Sequence, residues 1–273
     1  IYYYKLAADQ NNCYAQLLLG NIYEQGKYVP KDIDKAIHYY SLSCQHNNSE
    51  SQLLLGLIFY EGKYGEKYIY KGIDLIIQSS KNNCKFGQFS LAYIYQTGKY
   101  IKRNIKESIR LYKETSSLDY PYSKNNLGII YQIGIANDKA KIYFNEAIEQ
   151  KNNEVAMYNL AHLYIFEEYS EETFNKSIQL LIKSLDKGFS PSKQFLLLIL
   201  IKKYGTNFND ISKKLSNFTK NPNKIIKSFK KAVEEQLLCL KQIFEEVYQQ
   251  QRSIYYIYNQ SLEIIQVNDL LYI

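Results

Sequence analysis

Histidine and cysteine, the side chains most often used for catalysis and metal binding, are sparse in this chain of 273 residues. The three histidines, His38, His46 and His162, lie outside any HExxH, GxSxG or GxxxxGKS/T motif. The segment GKYGEK at 62–67 contains a Gly-Lys pair but lacks the spacing of a phosphate-binding loop. The acidic residues fall mostly on predicted helix surfaces, where solvation is their ordinary state. The sequence therefore predicts a segment that is not an enzyme and that holds no metal or cofactor.

The four cysteines, Cys13, Cys44, Cys84 and Cys239, form no CxxC pair, which indicates neither a zinc site nor a redox dithiol. We expect buried free thiols, because an unpaired cysteine behaves as a small hydrophobic residue. The net charge is +7, and Lys and Glu are interspersed along the chain. This predicts a mildly basic surface that would suit an acidic partner.

Two small residues recur along the chain with a period of 36 residues. The first occupies Gly20, Gly56, Ala92 and Gly128, and the second occupies Gly26, Gly62, Gly98 and Gly134. Self-similarity at such a period is typical of a solenoid built from stacked supersecondary units. The units run near 13–48, 49–84, 85–120, 121–152 and 153–188, and a degraded sixth unit follows.

Each unit is predicted to contain two helices joined by a short loop. In the first unit, apolar residues at helical spacing predict a helix from about 14 to 25. A glycine in mid-helix, as at Gly20, costs about 1 kcal/mol relative to alanine, so its recurrence needs a packing reason. We expect the second helix to cross there at close range. Gly26 suits a left-handed C-cap, and Asp32 suits the N-terminus of the second helix.

The chain is predicted to begin inside a repeat, because Tyr3 aligns with Tyr39 of the next second helix. We therefore expect a fragment of a longer array, from which any upstream targeting signal is missing. The array is predicted to occupy 1–205, with a degenerate last repeat in which Leu197 replaces the small residue. The remainder, 206–273, is predicted to form a C-terminal helical cap or a coiled-coil segment.

An amphipathic helix is predicted from 226 to 247, where apolar residues are spaced three or four apart. Its role stays open between a cap on the solenoid, a dimerisation segment over 224–250 and a lysine-rich surface for phosphates. The lysines lack interleaved arginines, and glutamates follow closely, so a cap is favoured and nucleic acid is not favoured as a partner. The apolar run at 195–201 is too short to span a membrane.

The first full unit, from Ala15 to Tyr40, has the pattern A-x-x-x-L-G-x-x-Y-x-x-G-x-x-V-x-x-D-x-x-K-A-x-x-Y-Y. This pattern resembles the Sel-one-like repeat, a slightly longer relative of the tetratricopeptide repeat, and the resemblance covers about 1–188. It implies an all-α fold, a right-handed α/α superhelix of helix–turn–helix repeats, here with a C-terminal helical segment. Family members act as adaptors, including in membrane-protein quality control and signalling. Some bacterial relatives pair cysteines of successive helices, and this chain lacks that pairing, so a cytoplasmic location is favoured.

In solenoids of this class the first helices line the concave face, so their positions outside the core are expected to contact a partner. Most of these positions carry apolar or aromatic residues, which are natural binding anchors. The predicted partner-binding residues are Leu17, Leu53, Leu57, Tyr60, Phe86, Phe89, Tyr93, Ile129, Tyr158 and His162. The alternative, which stays open, is that these rows pack against neighbouring first helices.

Two classes of function follow. The first is a protein–protein interaction scaffold or adaptor that binds a peptide or protein segment in an aromatic concave groove. The second is a regulatory repeat region of a larger enzyme, such as a kinase, whose catalytic domain lies upstream of Ile1. Self-association through 224–250 is a further interaction that the sequence leaves open.

Overall fold

The structure is a computed structural model that describes residues 1–117, 120–151, 153–167, 169–205, 207–227 and 229. Every regular element in these residues is a helix. The helices are α1 (Tyr2–Asp9), α2 (Cys13–Gln25), α3 (Ile33–Gln45), α4 (Ser49–Tyr60), α5 (Glu66–Lys81), α6 (Lys85–Thr97), α7 (Ile105–Ser117), α8 (Pro121–Ile133), α9 (Asn137–Lys151), α10 (Glu154–Phe166), α11 (Glu171–Asp186), α12 (Pro191–Tyr204) and α13 (Phe208–Leu215). A further helical segment begins at 222. Of the helices described, none combines the length and the apolar character that crossing a bilayer requires.

Consecutive helices pack in pairs, one pair for each of the first four predicted units from 13 to 152. Helix α2 packs on α3, α4 on α5, α6 on α7 and α8 on α9. Each second helix also packs on the first helix of the next pair, as α3 does on α4 and α5 on α6, and α4 contacts α6 directly. This connectivity confirms the predicted all-α solenoid, in which stacking buries apolar stripes that a single pair cannot bury alone.

Contacts divide the chain into two compact units, Ile1–Tyr169 and a second unit that begins at Ser170. In the second unit, Glu171 at the start of α11 pairs with Lys203 of α12 and, at 3.3 Å, with Lys214 of α13. Hydrogen bonds from these two lysines hold the pKa of Glu171 below its ordinary value. One carboxylate at the start of α11 thus contacts both α12 and α13. The predicted division of the chain after 205 stays a prediction.

The predicted C-terminal helix is described only at its beginning. Ile226 and Phe229, the first two residues of its apolar stripe, are buried. From 230 onward the predicted helix lies outside the described residues, and so does most of the segment 224–250 considered for self-association.

Pairs of asparagines end one repeat and begin the next. Asn11 has a φ of 64°, in the left-handed region that commonly follows a helix. The Asn12 side chain accepts a hydrogen bond from the Ala15 N–H at 3.0 Å and caps the N-terminus of α2. Asn47, with a φ of 56°, and Asn48 repeat this arrangement ahead of α4. The abundance of asparagine in the chain thus has a local structural cause.

The predicted close approach of the two helices within a repeat is confirmed. A Cβ atom added to Gly128 of α8 would lie 2.5 Å from the Phe144 ring of α9. A Cβ atom added to Gly20 of α2 would overlap the Tyr40 ring of α3. Both rings are fully buried, and so is Ala92, the alanine that occupies this position in the third repeat. A large residue on the second helix fills the space that the small residue on the first helix leaves.

In the second repeat the close approach involves the two backbones. A Cβ atom on Gly56 of α4 would lie 2.9 Å from the carbonyl oxygen of Gly72 in α5 and 2.8 Å from Ile76 Cγ1. A Cβ atom on Gly72 would lie 2.6 Å from the Gly56 carbonyl oxygen. Because a helix backbone cannot rotate aside as a side chain can, this crossing has room for neither side chain.

At three junctions, buried hydroxyl groups join a second helix to the next first helix. Ser51 of α4 donates a hydrogen bond to Ser43 of α3 at 2.7 Å, and Ser43 donates to the Cys13 carbonyl oxygen at 2.8 Å. The same separation of eight residues recurs in two further hydroxyl pairs, Thr115–Ser123 and Ser184–Ser192. These contacts between repeats were not predicted from the sequence.

The tyrosine at the first helix crossing also makes a polar contact. The Tyr40 hydroxyl donates a hydrogen bond to Glu24 Oε2 at 2.6 Å. Burial raises the pKa of Glu24, although the hydrogen bond from Tyr40 opposes the shift. In the third repeat the corresponding Tyr112 donates to Gln96 Oε1 at 2.8 Å. In the third repeat a neutral amide therefore accepts the hydrogen bond that the partly desolvated Glu24 carboxylate accepts in the first repeat.

We expect Gly56→Leu to lower the free energy of unfolding by more than about 3 kcal/mol, because the new side chain must separate two backbones. Gly134→Leu is the control, since Gly134 is exposed, has a φ of −78° and leaves an added Cβ atom 3.5 Å from its nearest neighbour. The control should change stability by less than about 1 kcal/mol. Denaturant unfolding followed by circular dichroism measures both. Equal losses would contradict the close-approach account.

We expect Glu24→Gln to stabilise the chain at neutral pH by less than about 1 kcal/mol, because the amide still accepts from Tyr40 but carries no charge to desolvate. The folded-state pKa of Glu24 is raised, so the wild type regains stability as the pH falls through that pKa, and the gap to the variant closes. Gln96→Glu should show the opposite effect, with a loss at neutral pH that acid relieves. Denaturant midpoints at neutral and acidic pH test both variants, and a gap that widens in acid would contradict the assignment.

Candidate partner-binding surface

Six of the ten predicted groove residues lie in the core. Each is at most 8% exposed, and they are Leu17, Leu53, Phe89, Ile129, Tyr158 and His162. Four of the six share one position, three residues before the small residue of the first helix. Because this row packs against neighbouring helices throughout the array, its side chains are not open to a partner. The packing alternative accounts for their apolar character, and the expectation that they face a groove is corrected.

Aromatic contacts explain the burial of Phe89. Its ring centroid lies 5.5 Å from that of Tyr112 and 4.9 Å from that of Tyr120. Phe89 belongs, together with Leu53, to a hydrophobic cluster that runs through the second, third and fourth repeats. This row therefore packs between successive first helices and the second helices of their repeats.

The two predicted groove residues of the fifth repeat are held neutral by burial. Burial lowers the pKa of His162 to about 4 and raises the pKa of Tyr158 to about 12. The His162 ring lies 4.4 Å from the ring of Phe166. Neither side chain changes its charge near neutral pH, which suits core packing rather than acid–base chemistry.

The three cysteines that the structure describes, Cys13, Cys44 and Cys84, carry free thiols and are half-buried. Burial raises the pKa of the Cys44 thiol to about 12. Its thiolate is therefore scarce at neutral pH, and the thiol is a poor nucleophile. Over the described residues, no three His, Cys, Asp or Glu side chains lie close enough together to hold a metal ion.

The other four predicted groove residues, Leu57, Tyr60, Phe86 and Tyr93, are half-buried on α4 and α6, the two first helices that contact each other. We call these four residues the aromatic surface. The Tyr60 ring packs edge-on against Tyr100 with centroids 5.3 Å apart. Phe86 packs in the same way against the ring of Tyr120 at 5.5 Å. Each of these two rings is fixed on one side by the protein and is partly exposed to solvent.

Two further aromatic residues share the position of Phe86, six residues before the small residue. Tyr122 of α8 is half-buried and lies 5.3 Å from Tyr120, and Tyr14 of α2 is 68% exposed. Neither was among the ten predicted residues. The signal that could have identified Tyr122 is its separation from Phe86, which equals the repeat period.

Beyond the third repeat, buried amides occupy positions in and beside the buried row of the first helices. Asn159 of α10 donates a hydrogen bond to Asn125 of α8 at 2.9 Å. Asn126 donates to the Tyr112 hydroxyl at 2.9 Å. All three amides are less than a tenth exposed, so these hydrogen bonds are satisfied inside the protein. Of the α8 residues equivalent to the aromatic surface, Tyr122 alone is partly exposed, because Ile129 and Gln132 are buried.

Two solved structures similar to this chain are repeat proteins. One is a protective antigen from uropathogenic Escherichia coli strains that displays an SLR fold, with 23% identity and a TM-score of 0.62 over 81% of this chain and 49% of the antigen. The other is a Sel1 repeat protein from Oxalobacter formigenes, with 19% identity and a TM-score of 0.63 over 78% of this chain and 88% of that protein. At these identities the likeness establishes the fold alone. The chain spans about half the length of the antigen. Among curated proteins, no sequence matches it.

The family model for the Sel1 repeat matches the chain in six segments, which lie at 1–12, 13–48, 49–83, 86–120, 121–152 and 155–189. These segments follow the units predicted from the glycine period to within a few residues, and they cover more than half of the chain. The chain therefore belongs to the Sel1 repeat family, whose repeats generally mediate protein interactions.

Proposed function

We propose that the chain is a non-catalytic scaffold that binds a segment of another protein on the aromatic surface of α4 and α6. The observation that supports this proposal is the half-burial of Leu57, Tyr60, Phe86 and Tyr93 on two adjacent first helices. The neighbouring row of the same helices, which includes Leu53 and Phe89, is buried in the core. Partly exposed aromatic side chains grouped on one face are the residues that most often dominate protein interfaces.

The packing behind the aromatic surface favours it as a binding site. Tyr60 and Phe86 each rest on another ring, that of Tyr100 and that of Tyr120. A side chain that is already held in place loses little conformational entropy when a partner covers its exposed part. The residues also lie on two successive repeats, so the surface fits an elongated peptide or helix that crosses the first helices.

The charges near this surface favour an apolar contact at its centre. None of the four residues carries a charge. Lys85 of α6 lies beside them, with its Nζ 5.1 Å from the Phe86 ring centroid, and the other lysines of these repeats lie in the loops and on the second helices. Interfaces with an apolar, aromatic core and charged residues only at the rim are typical of specific protein recognition. A partner segment with apolar side chains on one face is the expected ligand.

We expect Leu57→Glu/Tyr93→Glu to weaken partner binding by at least about tenfold, because two carboxylates would have to be desolvated in the interface. The matched control is Tyr70→Glu/Ile142→Glu, which introduces the same charges at exposed apolar residues of the second helices α5 and α9. Partners are identified first by photo-crosslinking from benzoyl-phenylalanine at Leu57, with the same probe at Tyr70 for comparison. Affinity for the protein captured is then measured with purified components.

Unfolding curves must show that both double variants fold like the wild type, since only partly exposed positions are changed. Leu53→Glu/Phe89→Glu, which places charges in the core, should by contrast unfold the array. The proposal fails if the probes at Leu57 and Tyr70 capture the same proteins, or if the two folded double variants bind the captured protein equally well.

A further inference from the structure

Three loops between first and second helices share a hexapeptide that the aromatic surface does not use. Its pattern is G-K-Y-x-x-K/R, and it stands at 26–31, 62–67 and 98–103. Each copy places a lysine and a tyrosine directly after the glycine, and a second cation four residues beyond the first. The shortened loop of the fourth repeat lacks the pattern, so the motif belongs to the first three repeats.

Backbone contacts give the first and third of these loops the same shape. Gly26 has a φ of 68°, and an added Cβ atom would lie 2.8 Å from the Cβ atom of Lys31. The Asp32 N–H then closes the loop by donating to the Tyr23 carbonyl oxygen at 2.9 Å. The third repeat has the same contacts, at Gly98, Arg103, Asn104 and Tyr95. These cations therefore project from a fixed backbone rather than from a flexible segment.

The lysine that follows each glycine is positioned by its neighbours. Lys27 Nζ lies 5.5 Å from the ring centroid of Tyr28, and Lys99 Nζ lies 5.1 Å from that of Tyr100. In the second loop, Lys63 instead pairs with Glu61 at 2.7 Å. In the first and third loops the lysine thus covers a face of the adjacent tyrosine ring.

The three loops lie side by side within the first compact unit. The Tyr100 ring of the third loop packs against Tyr60 at the end of α4. Val29 of the first loop packs in one hydrophobic cluster with Phe59, whose ring centroid lies 5.9 Å from that of Tyr64 in the second loop. Over 26–35, 61–71 and 98–107 the chain carries ten Lys or Arg residues and five Asp or Glu residues. We call these three segments the basic loop edge.

We propose that the basic loop edge binds an acidic segment of a partner protein. Its lysines would pair with carboxylates of the segment, and the interspersed Asp34 and Glu61 would accept hydrogen bonds from peptide N–H groups. Those two carboxylates would repel a phosphate backbone, which is charged at every nucleotide, more than a peptide whose carboxylates alternate with neutral residues. Nucleic-acid binding also uses open aromatic faces for base stacking, and the lysines cover a face of Tyr28 and of Tyr100.

The test uses the full chain and a fluorescein-labelled peptide of about twelve residues in which Glu and Ser alternate, followed by fluorescence anisotropy at low and physiological salt. Lys27→Gln/Lys63→Gln/Lys99→Gln should weaken binding about tenfold, the combined effect of three exposed ion pairs. Lys113→Gln/Lys151→Gln/Lys187→Gln removes the same charge from exposed positions elsewhere and should change affinity less than about twofold. Wild-type affinity should fall as salt is added.

Three results would overturn the proposal. Equal weakening by the two triple variants would mean that only net charge matters. Tighter binding of a single-stranded oligonucleotide with the same number of negative charges would make the edge a nucleic-acid site. Absence of peptide binding at low salt would mean that the edge is a solvated surface. The result is independent of the proposed function, because the three substituted lysines are not part of the aromatic surface.

Discussion

The contact between the small residue of each first helix and the large residue of its second helix determines how closely the two helices pack. At Gly20 and Gly128 the facing side chains are the fully buried rings of Tyr40 and Phe144. At Gly56 the facing group is the backbone itself. Since the two helices of a repeat meet only where one of them has no bulk, the apolar stripes on both sides of this point become buried together. The apolar faces that one helix pair leaves exposed are then buried by stacking on the next pair.

Period, helix pairing and helix ends could be predicted from the sequence because they depend on short-range rules that each repeat obeys separately. The left-handed Gly26 and the N-cap Asp32 illustrate this, since their conformations are set by a few neighbouring residues. The burial of individual side chains could not be predicted in the same way. Leu17 is 5% exposed and Leu18 is 40% exposed, although they are identical and adjacent. The two side chains point about 100° apart on α2. The position of the neighbouring repeat decides which of the two directions is buried, and helical spacing within one repeat contains no information about that position.

The contacts between repeats were missed for a different reason. Ser43 and Ser51 are fully buried and joined by a hydrogen bond, yet serine near a helix end looks like a loop residue in a sequence. A hydroxyl pair occupies less volume than two aliphatic side chains and satisfies its own polar atoms, so it permits two helix ends to approach without an unpaired buried group. The separation of eight residues that recurs at Thr115 and Ser123 marks this position. To recognise it in a sequence, one must align the end of each second helix with the start of the next first helix, rather than align whole repeats.

The two proposed surfaces lie on the first three repeats. The aromatic surface occupies α4 and α6, and the hexapeptide loops end with the third repeat. In α8 and α10, Ile129 and His162 stand at the position that Leu57 and Tyr93 occupy, and both are buried. Of the α8 residues equivalent to the aromatic surface, Tyr122 alone is partly exposed. A repeat can therefore keep its small residue and its stacking geometry while its outer positions change between partial exposure and burial, and the two proposed surfaces can share the second and third repeats.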